Sequence, residues 1–588
     1  MLIESIAISS IVCMTEFKLE EVLPENAILV YSVHDINKAS NNLKALEVCD
    51  PILRSISDMP ILSELFAATE DECPEMPNTY GAFGIYPVVN YETGSVDIGA
   101  LGVIELGDSD WGDIFQSSIA KMIQDPELDG EEINLAGRTV SMFSFKNEFI
   151  DEAVGLAASY GVQFEGFDRA YADVSNGYFI ICTEPDGIAS VFNRIDGEAQ
   201  EKTMAENDTF VLSTQGLDSK SNWQSVLLLE NLMDTILQMD GSNTAMLMAP
   251  MLKSMFGDVD AVSMFWDCLP SEDEILRVKY RIQMNDGRGG LLGLLSNSGI
   301  GQSELPAFVE SDLLYCFSLG FDWSSLPRLF QEIATNNPMV AMQMGDELDN
   351  YINKMEDFVE PLDGKLIFVS AGMQPSDDQN ATGDLTNAEP WNHDAGITRL
   401  LAVPCNNERQ CVNVLSMMLL DAEAEPREFL DHKIFTLDLF GGMMMAPMES
   451  SMSCAVAGGY LIAGSTSHIE HAIRKISDSA PASAPDLDAT GIRRISSADA
   501  NGWGYGDIAK STEIKMMWAE KELEDVLADL EAFDPEMAAE FREDFEDEQS
   551  TFWDSGYSIM ENLFGPMAWS VNVDEQGFSS EAVFLKSQ

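Results

Sequence analysis

The residue types in this chain best suited to chemistry are a histidine pair and a run of methionines. His468 and His471 lie three positions apart around Glu470, a spacing that puts both imidazoles on one face of a helix, where they could ligate a metal ion. The neighbouring pattern gives that face to solvent, because Ile469, Ile473 and Ile476 take the buried side and Lys475 joins the histidines. Ser467 with Glu470 also reads as a capping box, which gives the glutamate a structural task. A closed metal site needs three or four convergent ligands, and no third one is apparent among the five histidines of the chain. Met443-Met444-Met445-Ala446-Pro447-Met448, followed by Met452, is the second candidate, since thioethers select Cu(I). Met246, Met248, Met251 and Met255 form another group and share the Met-Ala-Pro-Met tetrapeptide. Methionine is also an adaptable core filler, the chain holds 32, and the two tetrapeptides stand 197 positions apart, out of step with the repeat described below. Core packing is the better account. The expectation is no metal site and no cofactor, with His468, His471, Met443, Met444, Met445 and Met448 as the positions on which a metal reading would rest.

Other motifs fail on spacing. Asp125, Glu127, Asp129 and Gly130 imitate the start of a calcium loop, but Ala136 stands where the bidentate glutamate belongs. Gly287-Arg288-Gly289-Gly290 follows a strand pattern as a dinucleotide loop would, yet Leu292 takes the place of the third glycine. There is no Gly-x-Ser-x-Gly elbow and no HExxH. Carboxylates are so numerous that no acid–base pair is privileged. Nine cysteines form no CxxC; the closest pair, Cys405 and Cys411, is six apart, so neither a zinc ribbon nor a disulfide framework is written here. No catalytic residue is assigned.

The charge balance bounds the partners. Asp and Glu number 100 against 32 Lys and Arg in 588 residues, a formal charge of -68. Such a surface repels phosphate backbones and anionic lipid, which disfavours nucleic acid and membrane surfaces and leaves cations, basic proteins or salt water. An apolar fraction of 45% fits globular units, and no run reaches the roughly 18 apolar residues that span a bilayer. Ile6 to Met14 resembles a short secretion h-region, although Glu4 stands where a basic residue belongs and no small-x-small cleavage site follows. Bulky Val12 before Cys13 speaks against a lipoprotein signal. The expectation is an extracellular or periplasmic protein with a degenerate signal in residues 1–20; the alternative is cytoplasmic.

The elements that would position any site recur. Val174-Ser175-Asn176-Gly177-Tyr178-Phe179-Ile180-Ile181-Cys182 returns as Val456-Ala457-Gly458-Gly459-Tyr460-Leu461-Ile462-Ala463-Gly464, with the turn glycines 282 positions apart. A helix pattern follows each, through Ile188, Val191, Phe192 and Ile195 and through Ile469, Ala472, Ile473 and Ile476, now 281 apart. Leu23-Pro24 and Leu305-Pro306 open the two units at the same offset. The expected fold is therefore α+β, a tandem duplication of two similar units, each a mainly antiparallel sheet with packed helices. The units are 21–284 and 305–588, joined by a Gly/Leu-rich segment, 285–304, whose Leu291, Leu292, Leu294 and Leu295 predict docking on one unit. Trp223 to Met239 and Ile514 to Leu530 read as the longer helices, and terminal hairpins close each unit. Between Glu520 and Glu548 lie fourteen acidic residues, arranged as the outer face of an amphipathic helical pair broken near Pro535.

The Leu-Pro opening, the Gly-Tyr strand and helix, Gly290-Leu291-Leu292-Gly293-Leu294-Leu295 and Phe321-Asp322-Trp323-Ser324-Ser325-Leu326 resemble a group of duplicated α+β bacterial proteins of unknown function, many of them secreted. The resemblance implies an extracytoplasmic, non-enzymatic protein and supplies no functional residues. The expected role is that of a structural or binding protein acting through its acidic surface. Two alternatives come from other classes: a metal-binding protein using the methionine cluster or a carboxylate loop, and a hydrolase with an unrecognised site between the units.

Overall fold

The computed structural model describes residues 20–45 (except 21), 80–89, 96–106, 111–124, 129–144, 169–196, 202–215, 223–239, 253–296 (except 254, 270, 272 and 286), 306–336 (except 307 and 310–312), 348–372, 397–420, 426–437, 452–478, 500–542 (except 534, 536, 537 and 540) and 564–586. Two compact units emerge, residues 1–252, 258–268 and 278–286 in the first and 253–257, 269–277 and 287–588 in the second.

The first unit runs β1 (Leu29–Val33), α1 (Ile36–Ala45), β2 (Gly81–Val89), β3 (Val96–Glu105), α2 (Trp111–Gln124), β4 (Glu131–Leu135), β5 (Arg138–Ser144), β6 (Arg169–Ser175), β7 (Tyr178–Cys182), α3 (Pro185–Ile195), α4 (Asp208–Thr214), β8 (Trp223–Leu228), α5 (Leu229–Met239), β9 (Ala261–Cys268) and β10 (Glu274–Gln283). Antiparallel pairing orders its strands β9-β8-β1-β2-β3-β7-β6-β5-β4, with β10 beside β9. The Asn176-Gly177 turn between β6 and β7 has φ of 52° and 79°, the two-residue geometry whose twist matches a right-handed hairpin. Strand alternation then sends Ile180 and Cys182 to one face of β7 and Phe179 to the other. α3 covers the first face with Ile188, Val191 and Phe192. α2 covers the second, where Phe115 stacks on Phe179 at 4.5 Å and Ile119 and Met122 meet Phe143 and Ala172. Each such fully buried side chain contributes about 1.5–3 kcal/mol.

The second unit runs β11 (Leu313–Gly320), α6 (Leu326–Asn336), α7 (Leu348–Val359), β12 (Lys365–Gly372), β13 (Ile397–Pro404), α8 (Glu408–Leu420), β14 (Arg427–Phe429), β15 (His432–Leu437), β16 (Met452–Ala457), β17 (Tyr460–Gly464), α9 (Thr466–Ser477), β18 (Gly502–Asp507), α10 (Ile508–Phe533), β19 (Phe564–Asp574) and β20 (Gly577–Lys586). Its antiparallel order is β20-β19-β18-β11-β12-β13-β17-β16-β15-β14. The Gly458-Gly459 turn has φ of 59° and 83°, and β17 lies between β13 and β16 as β7 lies between β3 and β6. α9 packs Ile469, Ala472 and Ile473 on the Ile462 face, while Leu461 faces Val359 of α7 and Cys411 and Leu415 of α8.

β18 carries glycine at every second position, Gly502, Gly504 and Gly506, in register with Leu319, Phe317 and Tyr315 of β11. The Trp569 ring of β19 lies across Gly504, inside the space a Cβ would need, and reaches within 5.9 Å of the Phe317 ring. The glycine strand is thus filled from its neighbours, an aromatic ring standing in for absent side chains.

Two sequence readings change. Trp223 to Leu228 is a strand, not the start of a helix: its alternating buried residues Gln224, Val226 and Leu228 insert between β1 and β9, and the helix begins only at Leu229. The helix expected at Ile514 starts at Ile508 and continues to Phe533, with Leu527 buried and Glu524 exposed. The glycine-rich segment packs on the second unit as expected. Leu294 is buried, Ser296 N donates to Gly320 O at 3.0 Å, and Asp322 N donates to Leu294 O at 2.7 Å.

Candidate functional site

His468 and His471 sit on α9, which follows β17 after a single residue. Ser465 is the N-cap, accepting from His468 N at 3.4 Å, so the cap stands two positions before the Ser467 expected and Glu470 forms no box with it. Glu470 accepts instead from Arg427 at 2.7 Å and stands 3.7 Å from Arg474. His468 is half-buried and its Nδ1 accepts from Arg399 N at 3.3 Å, while His471 is exposed. Burial pushes the His468 imidazole below its usual range, and the His471 charge acts in the same direction. The ring nitrogen a metal would need on that side is therefore occupied by the backbone. Among the described residues no group of three or more His, Cys, Asp or Glu is arranged to hold a metal ion. Met443, Met444, Met445 and Met448 lie outside the described residues, as do Met246, Met248 and Met251.

The corner after β7, in the first unit, holds a thiol. Tyr86 Oη stands 3.1 Å from Cys182 Sγ, and Glu184 N donates to the same sulfur at 3.5 Å. Burial holds Cys182 above its ordinary value. Gly187 completes the corner, because a Cβ there would collide with both Tyr86 Oη and Cys182 Sγ.

The remaining motifs resolve into packing. Ala136, at φ 50°, is the first residue of the β4–β5 turn, so the carboxylate loop has no twelfth-position ligand; Asp125 and Glu127 lie outside the described residues. Gly290, at φ 56°, allows the chain to pass against the backbone of Gly257, which is why glycine stands where a phosphate loop was considered.

Sequence reasoning passed over the arrangement that carries the most chemistry. Cys405 follows β13 directly, where its N–H donates to Gly459 O at 2.8 Å and Asn406 N donates to Pro361 O at 2.9 Å. Asn407 then caps α8, its Oδ1 accepting from Gln410 N at 3.1 Å and its carbonyl from Cys411 N at 3.0 Å. The first turn of α8 carries Cys411 into the apolar cluster against which Cys405 packs, and the two thiols interact. Cys411 is buried against Val359, Val403 and Leu415, whereas Cys405 is the one described cysteine that is not buried. The signal in the sequence was Asn407: an N-cap two positions after one cysteine places a second, four positions further on, above it.

No protein-family model, curated protein or solved structure matches the chain. Among the described residues no helix is long and apolar enough to cross a membrane.

Proposed function

We propose that the chain is an internal duplication of one ten-stranded α+β unit and acts, outside the cytoplasm, as a non-enzymatic structural or binding protein through its acidic surface. The matched strand orders and the two Gly-Tyr hairpins support the duplication. The functional reading rests on one observation, the excess of 100 acidic over 32 basic side chains, displayed at exposed positions such as Glu513 and Glu524 while Ile514 and Leu527 point inward. A surface of this sign selects cationic partners and draws them in over a range set by salt, about 10 Å at 0.1 M and about 3 Å at 1 M.

Fluorescence anisotropy with a labelled oligolysine tests it. Binding should weaken steeply between these salt concentrations, and Glu513→Gln with Glu524→Gln should weaken it more than the same change at Glu131 and Glu132 on β4. Equal losses at both places would leave only unspecific attraction and overturn the reading of a dedicated surface.

A further inference from the structure

We propose that Cys405 and Cys411 form a thiol–disulfide exchange site, which closes to an intramolecular disulfide on reaction with a small-molecule disulfide of the glutathione class. Three observations carry it. Cys405 packs against the apolar cluster that contains Cys411, and the two thiols interact with each other. Both anchors are fixed, Cys405 by backbone bonds to Gly459 and a bridge to Leu362, and Cys411 by the capped first turn of α8. The pair is also asymmetric in access, with Cys405 at the rim and Cys411 in the apolar layer beneath.

The environment sets an order of events. The Cys405 S–H bond holds Cys411 below the ordinary thiol value, and the same bond holds Cys405 above it; burial and the nearby Glu408 carboxylate oppose ionisation of both. The amides of the α8 N-terminus favour the first negative charge. Passing the shared proton from Cys405 to Cys411 then places the thiolate on the exposed sulfur. That thiolate attacks one sulfur of the external disulfide, whose S–S bond breaks and releases one thiolate. The released thiolate takes the proton of Cys411. The Cys411 thiolate attacks the Cys405 sulfur of the mixed disulfide and expels the second small thiol. Two protein thiols are oxidised, one external disulfide is reduced to two thiols, and both protons leave with them. In an oxidising compartment the bond would stand closed.

The test uses the full chain, oxidised glutathione and mass spectrometry under acid quench. Trypsin cuts after Arg399, Arg409 and Arg427, so the closed site joins peptide 400–409 to peptide 410–427. The expected result in the wild type is this linked pair, with two hydrogens lost and no retained glutathione. Cys411→Ser should instead retain one glutathione on Cys405, and Cys405→Ser should leave Cys411 at least tenfold less modified than Cys405 is in the first variant. Reduction should restore two free thiols. Retention of glutathione on wild-type Cys405, or absence of the linked pair from folded protein while other thiols react, would overturn the proposal.

Discussion

Replacing Gly504 by alanine tests whether the glycine strand is filled by its neighbours as described. The added methyl would enter the space of the Trp569 ring, and the neighbouring Gly506 has the same difficulty with Tyr315, whose ring carbon would stand 2.8 Å from a Cβ. Trp569 has two responses. It can stay and strain the sheet, at a cost of about 1–3 kcal/mol for an overpacked site. It can instead turn outward; a half-buried tryptophan then loses on the order of 100 Å² of burial, about 2.5 kcal/mol at about 25 cal/mol per Å². Alanine returns about 0.4–1 kcal/mol by restricting the unfolded chain. The cheaper response sets the outcome, so the expected net loss is at most about 2 kcal/mol. Trp569→Ala removes the obstacle, so in that background Gly504→Ala should be neutral or stabilising by up to about 1 kcal/mol. Urea unfolding of the four proteins gives the coupling, followed in the transition that Trp569→Ala itself shifts. A Gly504→Ala cost that is the same with and without Trp569 would refute the reasoning, and glycine would then be required at β18 for its backbone alone.

Two further outcomes are expected. Gly177→Ala and Gly459→Ala place a Cβ at φ of 79° and 83°, and the second meets nothing within 4 Å, so each should cost about 1–2 kcal/mol from backbone strain; urea midpoints that differ widely between the two would count against related units. His468, held below its usual range, takes up a proton more readily when unfolded, so its contribution to stability is present above about pH 6.5 and is lost as pH falls toward its folded value. His468→Asn should therefore flatten the fall of the urea midpoint below about pH 6.5, and a steeper fall in the variant would contradict the sign.

What the sequence disclosed follows from which forces are local. The Gly-Tyr hairpins and the helices after them were legible because φ above zero demands glycine or asparagine and a helix face demands apolar spacing of three and four. Trp223 to Leu228 was misread because its alternation lies next to a true helix, and only pairing with β1 and β9 decides for a strand. β18 gave no strand signal, since three of its six residues are glycine and the side chains that fill it come from β11 and β19. The leucines of the joint announced that it packs, because a solvated linker has no use for a side chain such as the buried Leu294. Contact between Cys405 and Cys411 escaped notice because six positions is too far for one helical face; a cap had to turn the chain between them.

The corner between the Gly-Tyr strand and its helix explains why the candidate sites do not repeat even under the duplication proposed above. In the first unit the strand ends in Cys182 and the helix begins near Gly187; at the matching places the second unit has Gly464 and His468. Bulk has changed sides. A Cβ on Gly187 would strike Cys182 and Tyr86, and one on Gly464 would stand 2.6 Å from Arg399 O and 2.9 Å from Leu400 Cδ2. At position 187 the obstacle is the thiol and phenol of the corner itself, and at position 464 it is the Arg399 backbone with the Leu400 side chain, so each corner fills the space beside its glycine in its own way. A thiol transferred to position 464 or a histidine to position 187 would demand compensation at a second residue. Under the proposed duplication, packing of this kind lets the corners of the two units differ while the strand order stays fixed, so the exchange site proposed at Cys405 and Cys411 needs no counterpart in the first unit.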